Sequence, residues 1–127
     1  KMNVLLELLS HEGNRGCADC GREDIGGVSV TLGVFLCAEC TTIHKEVLLT
    51  ESYIKIINMM NSEEYATCTP DQVLFLKGMN GNVEANSFWE ARIPPKMKKP
   101  QPNSTRSEKS EWIIHKYRHY TFSFPMA

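Results

Sequence analysis

The stretch Cys17–Cys40, "CADCGREDIGGVSVTLGVFLCAEC", holds two cysteine pairs in the pattern C-x2-C-x16-C-x2-C. Two residues between thiolates let one tight turn aim both sulfurs at a common tetrahedral centre, and Gly21 after the first pair suits such a turn. Four soft thiolates select zinc and fill its tetrahedron, leaving no position open for water or substrate. The expected ion is therefore structural, with Cys17, Cys20, Cys37 and Cys40 as its ligands. Zinc binding at roughly 10–16 kcal/mol matches the whole folding free energy of a small domain. Two unrelated thiol pairs, or a redox pair of the C-x-x-C kind, would not call for two equal pairs at this separation. Cys68 stands alone in "YATCTPD" and is expected to be a half-buried or free thiol. His44 follows Cys40 by a spacing that zinc accepts. With four thiolates already in place, it is expected to pack on the metal loop and hydrogen-bond the backbone.

Outside this segment, the chain of 127 residues fits one compact domain. Hydrophobic content of 42% and charged content of 23% are ordinary for a soluble globular protein. No apolar run has the roughly 18 residues of a membrane span. The start, "KMNVLLELLSHE", has a short apolar patch interrupted by Glu7 and makes a poor signal peptide. A reducing, cytoplasmic setting is the expectation, and there cysteines serve as metal ligands or thiols rather than disulfides. The net charge of −1 hides an asymmetry. From Lys96 to Arg118 seven basic residues (Lys96, Lys98, Lys99, Arg106, Lys109, Lys116, Arg118) face two acidic ones, Glu108 and Glu111, leaving the remainder acidic by six. Such a run reads first as a solvated surface, and otherwise as a face for an acidic protein or anionic lipid. The near-neutral whole argues against a nucleic-acid binder.

The apolar spacing predicts a first helix in "NVLLELLSHEG", with Val4, Leu5, Leu8 and Leu9 on one side and Gly13 as its stop. "VSVTLGVFLC" is β-rich, and a short helix follows from Ala38 to about Leu48. "SYIKIINMM" alternates as a strand with both faces partly apolar, which places it centrally in a sheet. In "TPDQVLFLKGMNG", Thr69, Pro70 and Gln72 form a capping box opening a helix that Gly78 or Gly81 ends. "NVEANSFWEARIPP" is another short helix, stopping before Pro94, and "PPKMKKPQPNS" is an exposed connection. Thr105 and Glu108 form a second capping box, opening a helix with Trp112, Ile113, Tyr117 and Tyr120 on its apolar face. Phe88, Trp89, Trp112 and Tyr117 read as core. The sum is a small α/β zinc-finger fold.

"GNRGCADCG", "TLGVFLCAEC", "IHK", "GMNGNVEAN", "FWEARIP" and "EWIIHKYRHYTF" together resemble the GTPase-activating domain for ADP-ribosylation-factor (Arf) small GTPases. The match runs from about Asn14 to Phe122 and is closest to members carrying paired pleckstrin-homology domains. It implies a domain over residues 1–122 with a tail at 123–127. It also implies a three-stranded sheet surrounded by helices, and docking on a GTP-bound Arf protein to speed hydrolysis of its nucleotide. In the family an arginine directly follows the "IH" histidine and serves as the arginine finger, whose planar guanidinium bridges oxygens where charge grows. Here that position is Lys45, which keeps the charge and loses the fork of donors. No arginine is near in sequence: Arg15 and Arg22 flank the first cysteine pair, and Arg92 is far along the chain. The family's tryptophan between the cysteine pairs is Gly27, and Asn58 and Met60 stand where it has further action residues after the third strand.

Two functions follow from the resemblance. One is a GTPase activator with Lys45 at the finger position. The other is a catalytically silent module that binds Arf, another protein or a membrane surface. A DNA-binding finger, one residue different in cysteine spacing, is disfavoured by charge. From Asn14 to Lys45, Arg15, Arg22 and Lys45 face Asp19, Glu23, Asp24 and Glu39, and phosphates would gain little there.

Overall fold

The computed structural model describes residues 4–57 and 68–123. Helix α1 (Val4–Leu9) opens the chain and buries Leu5, with Leu8 and Leu9 half-buried beside it. The β-rich stretch folds into a hairpin of β1 (Ile25–Ser29) and β2 (Val34–Cys37), with Val28 opposite Phe35 and Ser29 opposite Val34. Helix α2 (Ala38–Val47) follows at once, as the sequence predicts, with the Cys37 sulfur accepting from the Cys40 N–H at its N-terminus.

Strand β3 (Ile54–Ile56) pairs antiparallel with β1, giving the order β2-β1-β3. The expected central place of this strand is therefore wrong; β1 holds the centre, and Ile56 is 51% exposed. Its apolar residues on both faces have another cause. Ile54 packs on the cluster of Leu36, Ile43 and Ile113, whereas Ile57, just past the strand, joins the cluster of Leu5, Val28 and Phe35. Alternation along β2 shows the same division, since Val34 and Leu36 face the first cluster and Phe35 the second. The sheet is thus covered on both faces.

Helix α3 (Pro70–Met79) begins with the predicted box, Thr69 Oγ1 accepting from Gln72 N–H and Gln72 Oε1 from Thr69 N–H. Gly78 lies within this helix, and Asn80 in the left-handed region ends it. Helix α4 (Asn82–Trp89) and helix α5 (Arg106–Ile113) come next, the latter behind its own Thr105–Glu108 box. A π-helical turn at Ile114–Arg118 continues α5. Trp89, Trp112, Ile113 and Tyr117 are buried as expected, but Phe88 is 38% and Tyr120 45% exposed. Tyr120 falls beyond the helical turn with positive φ, so the face that the spacing extends to it has already ended.

Candidate metal centre and the helix it anchors

The first cysteine pair turns on Gly21, whose φ of +80° lies in the left-handed region that glycine adopts freely. The second pair straddles the junction of β2 and α2. All four sulfurs lie within 4.8 Å of one another, and Cys20 Sγ is 3.6 Å from Cys37 Sγ. A tetrahedral zinc with bonds of about 2.3 Å sets its sulfurs ~3.8 Å apart, a spacing that Cys20 and Cys37 already have and that the whole cluster reaches with shifts of about 1 Å or less. The Cys17 thiol beside Cys37 draws its pKa down to about 7, while Cys17, Cys20 and Cys37 together hold the Cys40 thiol well above its ordinary value. Four thiols so close cannot all ionise unaided; a cation at their centre removes that conflict. Cys68 lies outside the cluster as a half-buried free thiol whose pKa burial raises.

Two asparagines brace the knuckle from α4. Asn82 Nδ2 donates to Gly16 O and Phe35 O at 2.8 Å, and Asn82 Oδ1 accepts from Phe35 N–H. Asn86 Nδ2 reaches Ala18 O at 3.0 Å. The "GNVEAN" motif is thus a clamp on the metal loop.

Asp19, between the first two cysteines, is the hub of a buried network that sequence reasoning missed. Its Oδ1 accepts from Lys116 Nζ at 2.8 Å and from the Tyr117 hydroxyl at 2.6 Å; its Oδ2 accepts from His44 Nε2 at 2.7 Å. Burial opposes the charged carboxylate, but Lys116 and His44 outweigh it and hold Asp19 below the usual range. Lys116 also donates to Ala18 O and Glu90 Oε2, and Glu90 Oε1 accepts from Lys99. His44 Nδ1 pairs with Ser52 Oγ at 2.9 Å, and Ser52 donates to Ser29 Oγ. The expected backbone partner of His44 is therefore replaced by two side chains, because the ring is buried between the knuckle and β1.

Lys116 and Lys109 also correct the reading of the basic run as solvated surface. Both are buried, and Lys109 pairs with Glu39 and Pro102 O. Their spacing with Trp112, Ile113 and Tyr117 puts all five on one helical face, which is the signal that would have found them. Arg106 pairs with Glu46, and Arg118 with Glu51 and Val47 O. The fold thus brings two arginines to α2, both already committed to carboxylates.

Lys45 is exposed on α2, with no side-chain hydrogen bond or ion pair among the described residues. Gly27 is buried on β1 beneath the same helix, where a Cβ would lie 2.5 Å from Thr41 Oγ1. Asn58 and Met60 lie outside the described residues.

The family described as "Putative GTPase activating protein for Arf" matches residues 2–125, and the chain belongs to this ArfGap family. The chain is 33% identical over 119 residues to ADP-ribosylation factor GTPase-activating protein AGD12 of Arabidopsis thaliana, covering 94% of itself and 34% of that protein. It is also 33% identical over 120 residues to Arf-GAP with dual PH domain-containing protein 2 of Rattus norvegicus, covering 93% of itself and 30% of that protein. The chain thus spans about a third of the length of these relatives. The solution structure of the ArfGap domain of human RIP superposes with a TM-score of 0.76 at 21% identity, covering 96% of this chain and 85% of that one, a likeness of fold. Among the described residues no helix is long and apolar enough to cross a membrane.

Proposed function

We propose that the chain docks on a GTP-bound Arf-family small GTPase and speeds hydrolysis of its nucleotide, with one structural zinc on Cys17, Cys20, Cys37 and Cys40. The observation that carries this reading is the placement of Lys45. It is a cation unpartnered among the described residues, on the outer face of a helix whose first turn is built into the four-cysteine cluster. Zinc bound there would supply no Lewis acid to the reaction, because its tetrahedron is filled. Its contribution is to hold α2. Lys45 then faces growing negative charge with an ammonium, a compact and strongly hydrated point charge lacking the guanidinium's planar fork. In this reading stimulation is weaker than the roughly 10³–10⁵ of an arginine finger. The domain occupies residues 1–122 of a cytoplasmic protein, and recruitment to a membrane surface belongs to flanking regions.

A second reading, a silent Arf-binding module, is favoured by Lys45 and Gly27 together, since both differ from the family's pattern in one chain. Single-turnover GTP hydrolysis by a panel of Arf proteins, with and without the domain, separates the two. Acceleration supports the activator. Binding to the GTP form without acceleration selects the silent module, and binding to neither form rejects both.

A further inference from the structure

We infer that Asp19, His44 and Ser52 form a positioning chain that fixes the C-terminal turn of α2, and with it Lys45, against the four-cysteine knuckle. The functional consequence rests on the activator reading above; the mechanical claim does not.

Helix α2 is tied to the cysteine cluster at its start, through Cys37 and Cys40. Lys45 lies eight residues beyond Cys37, a distance of ~12 Å at about 1.5 Å per residue. A swing of roughly 5° about the first turn would carry it ~1 Å, and a displacement of that size can cost about 10² in rate at a reacting centre. A second tie is therefore needed near the far end, and the same knuckle supplies it. Asp19 lies between two of the clustered cysteines and accepts from Nε2 of His44, the residue directly before Lys45, at 2.7 Å.

The other ring nitrogen is also held. Ser52 Oγ meets Nδ1 at 2.9 Å, donates to Ser29 Oγ of the central strand, and its N–H donates to Leu48 O at the end of α2. Leu48 N–H in turn donates to His44 O. Both nitrogens have partners on different elements, so the imidazole has one orientation and the helix end one place. Lys116 and the Tyr117 hydroxyl occupy the other Asp19 oxygen, which leaves Oδ2 to His44. An apolar residue of similar size would fill the same space without this orientation.

That difference supplies the test. In the Lys45→Arg chain, His44→Leu preserves bulk and removes both hydrogen bonds, His44→Gln restores a polar partner, and Ser52→Ala removes only the outer support. Two readouts are taken on each: amide hydrogen exchange at Lys45–Leu48, and single-turnover hydrolysis across domain concentration. Expected for His44→Leu is about tenfold faster exchange at Lys45–Leu48 with the knuckle amides still protected. The saturated rate falls about tenfold while the half-saturating concentration stays nearly constant, and His44→Gln recovers most of both. If His44→Leu does not fold, Ser52→Ala carries the same comparison with smaller effects. Unchanged exchange overturns the inference, and altered exchange with an undiminished saturated rate overturns its functional consequence. If no Arf protein responds even to the Lys45→Arg parent, the functional reading fails instead, and exchange alone decides whether the chain positions α2.

Discussion

At the residue scale the proposed activity turns on two residues that neighbour one helix, Lys45 on its outer face and Gly27 beneath it. Lys45→Arg supplies a fork of donors at an exposed position without disturbing the core, so the fold should accept it. On the activator reading, the expected outcome is a rise in domain-stimulated GTP hydrolysis by Arf larger than the fall caused by Lys45→Ala; equal rates for all three chains would show the position to be idle. Gly27 behaves differently. A Cβ there would strike Thr41 Oγ1 at 2.5 Å, and that hydroxyl is buried with no hydrogen-bond partner among the described residues. Gly27→Ala should cost about 1–3 kcal/mol by overpacking. Thr41→Ala removes the two closest obstructing atoms and an unsatisfied hydroxyl, leaving only Thr41 Cβ at 3.2 Å, so the cost should shrink in that background. A double-mutant cycle by urea denaturation measures the coupling, and additive effects would show that α2 gives way elsewhere. Any side chain at Gly27 requires Thr41 or α2 to shift.

At the element scale, helices were legible where local chemistry sets them and strands were not placed by it. Both capping boxes follow from Thr and Gln or Glu at fixed offsets, and both form as read. The position of β3 was not legible, because an apolar pattern on two faces describes a strand between two cores as well as one between two strands. The C-terminal helix hides its lysines for a related reason: composition counts their charges, and only the spacing of Lys109 and Lys116 puts them on the apolar face with Trp112, Ile113 and Tyr117. One of the contacts this helix makes gives a pH prediction. Arg118, donating to Glu51 from the end of the π-turn, holds the Glu51 carboxyl down at about 2. A carboxylate with a lowered folded-state pKa contributes stability above its unfolded value of about 4.3, and loses it as pH falls toward 2. Both side chains are partly exposed, so the contribution is small and salt-sensitive. Glu51→Gln should lower the urea midpoint slightly at pH 7, with the deficit fading between about pH 4.3 and 2; a deficit constant across that range would assign it to packing.

At the scale of the whole molecule, the charge asymmetry of the sequence has a structural explanation. Only part of the basic third faces solvent: Lys109 and Lys116 are buried, and Lys99, Arg106, Lys109, Lys116 and Arg118 pair with Glu90, Glu46, Glu39, Asp19 and Glu51 from the acidic remainder, while Lys96 and Lys98 stay exposed. Pairing of this kind joins the C-terminal helix to the knuckle and to α2, and several partners meet at residues beside the cysteines. The cysteine centre therefore governs more than its own loop. With zinc bound as proposed, its loss would leave four thiols in a buried cluster and loosen Asp19, on which Lys116, Tyr117 and His44 all depend. Metal binding of roughly 10–16 kcal/mol stands against a total stability of about 5–15 kcal/mol for an ordinary domain. Exhaustive chelation should thus abolish the cooperative thermal transition, and Cys40→Ser should do the same in the presence of zinc. Cys68→Ser, outside the cluster, should cost about 1 kcal/mol or less. Near-ultraviolet circular dichroism with metal quantitation checks all three, and a chelated chain that still melts cooperatively would place the anchor of this fold in its two apolar clusters.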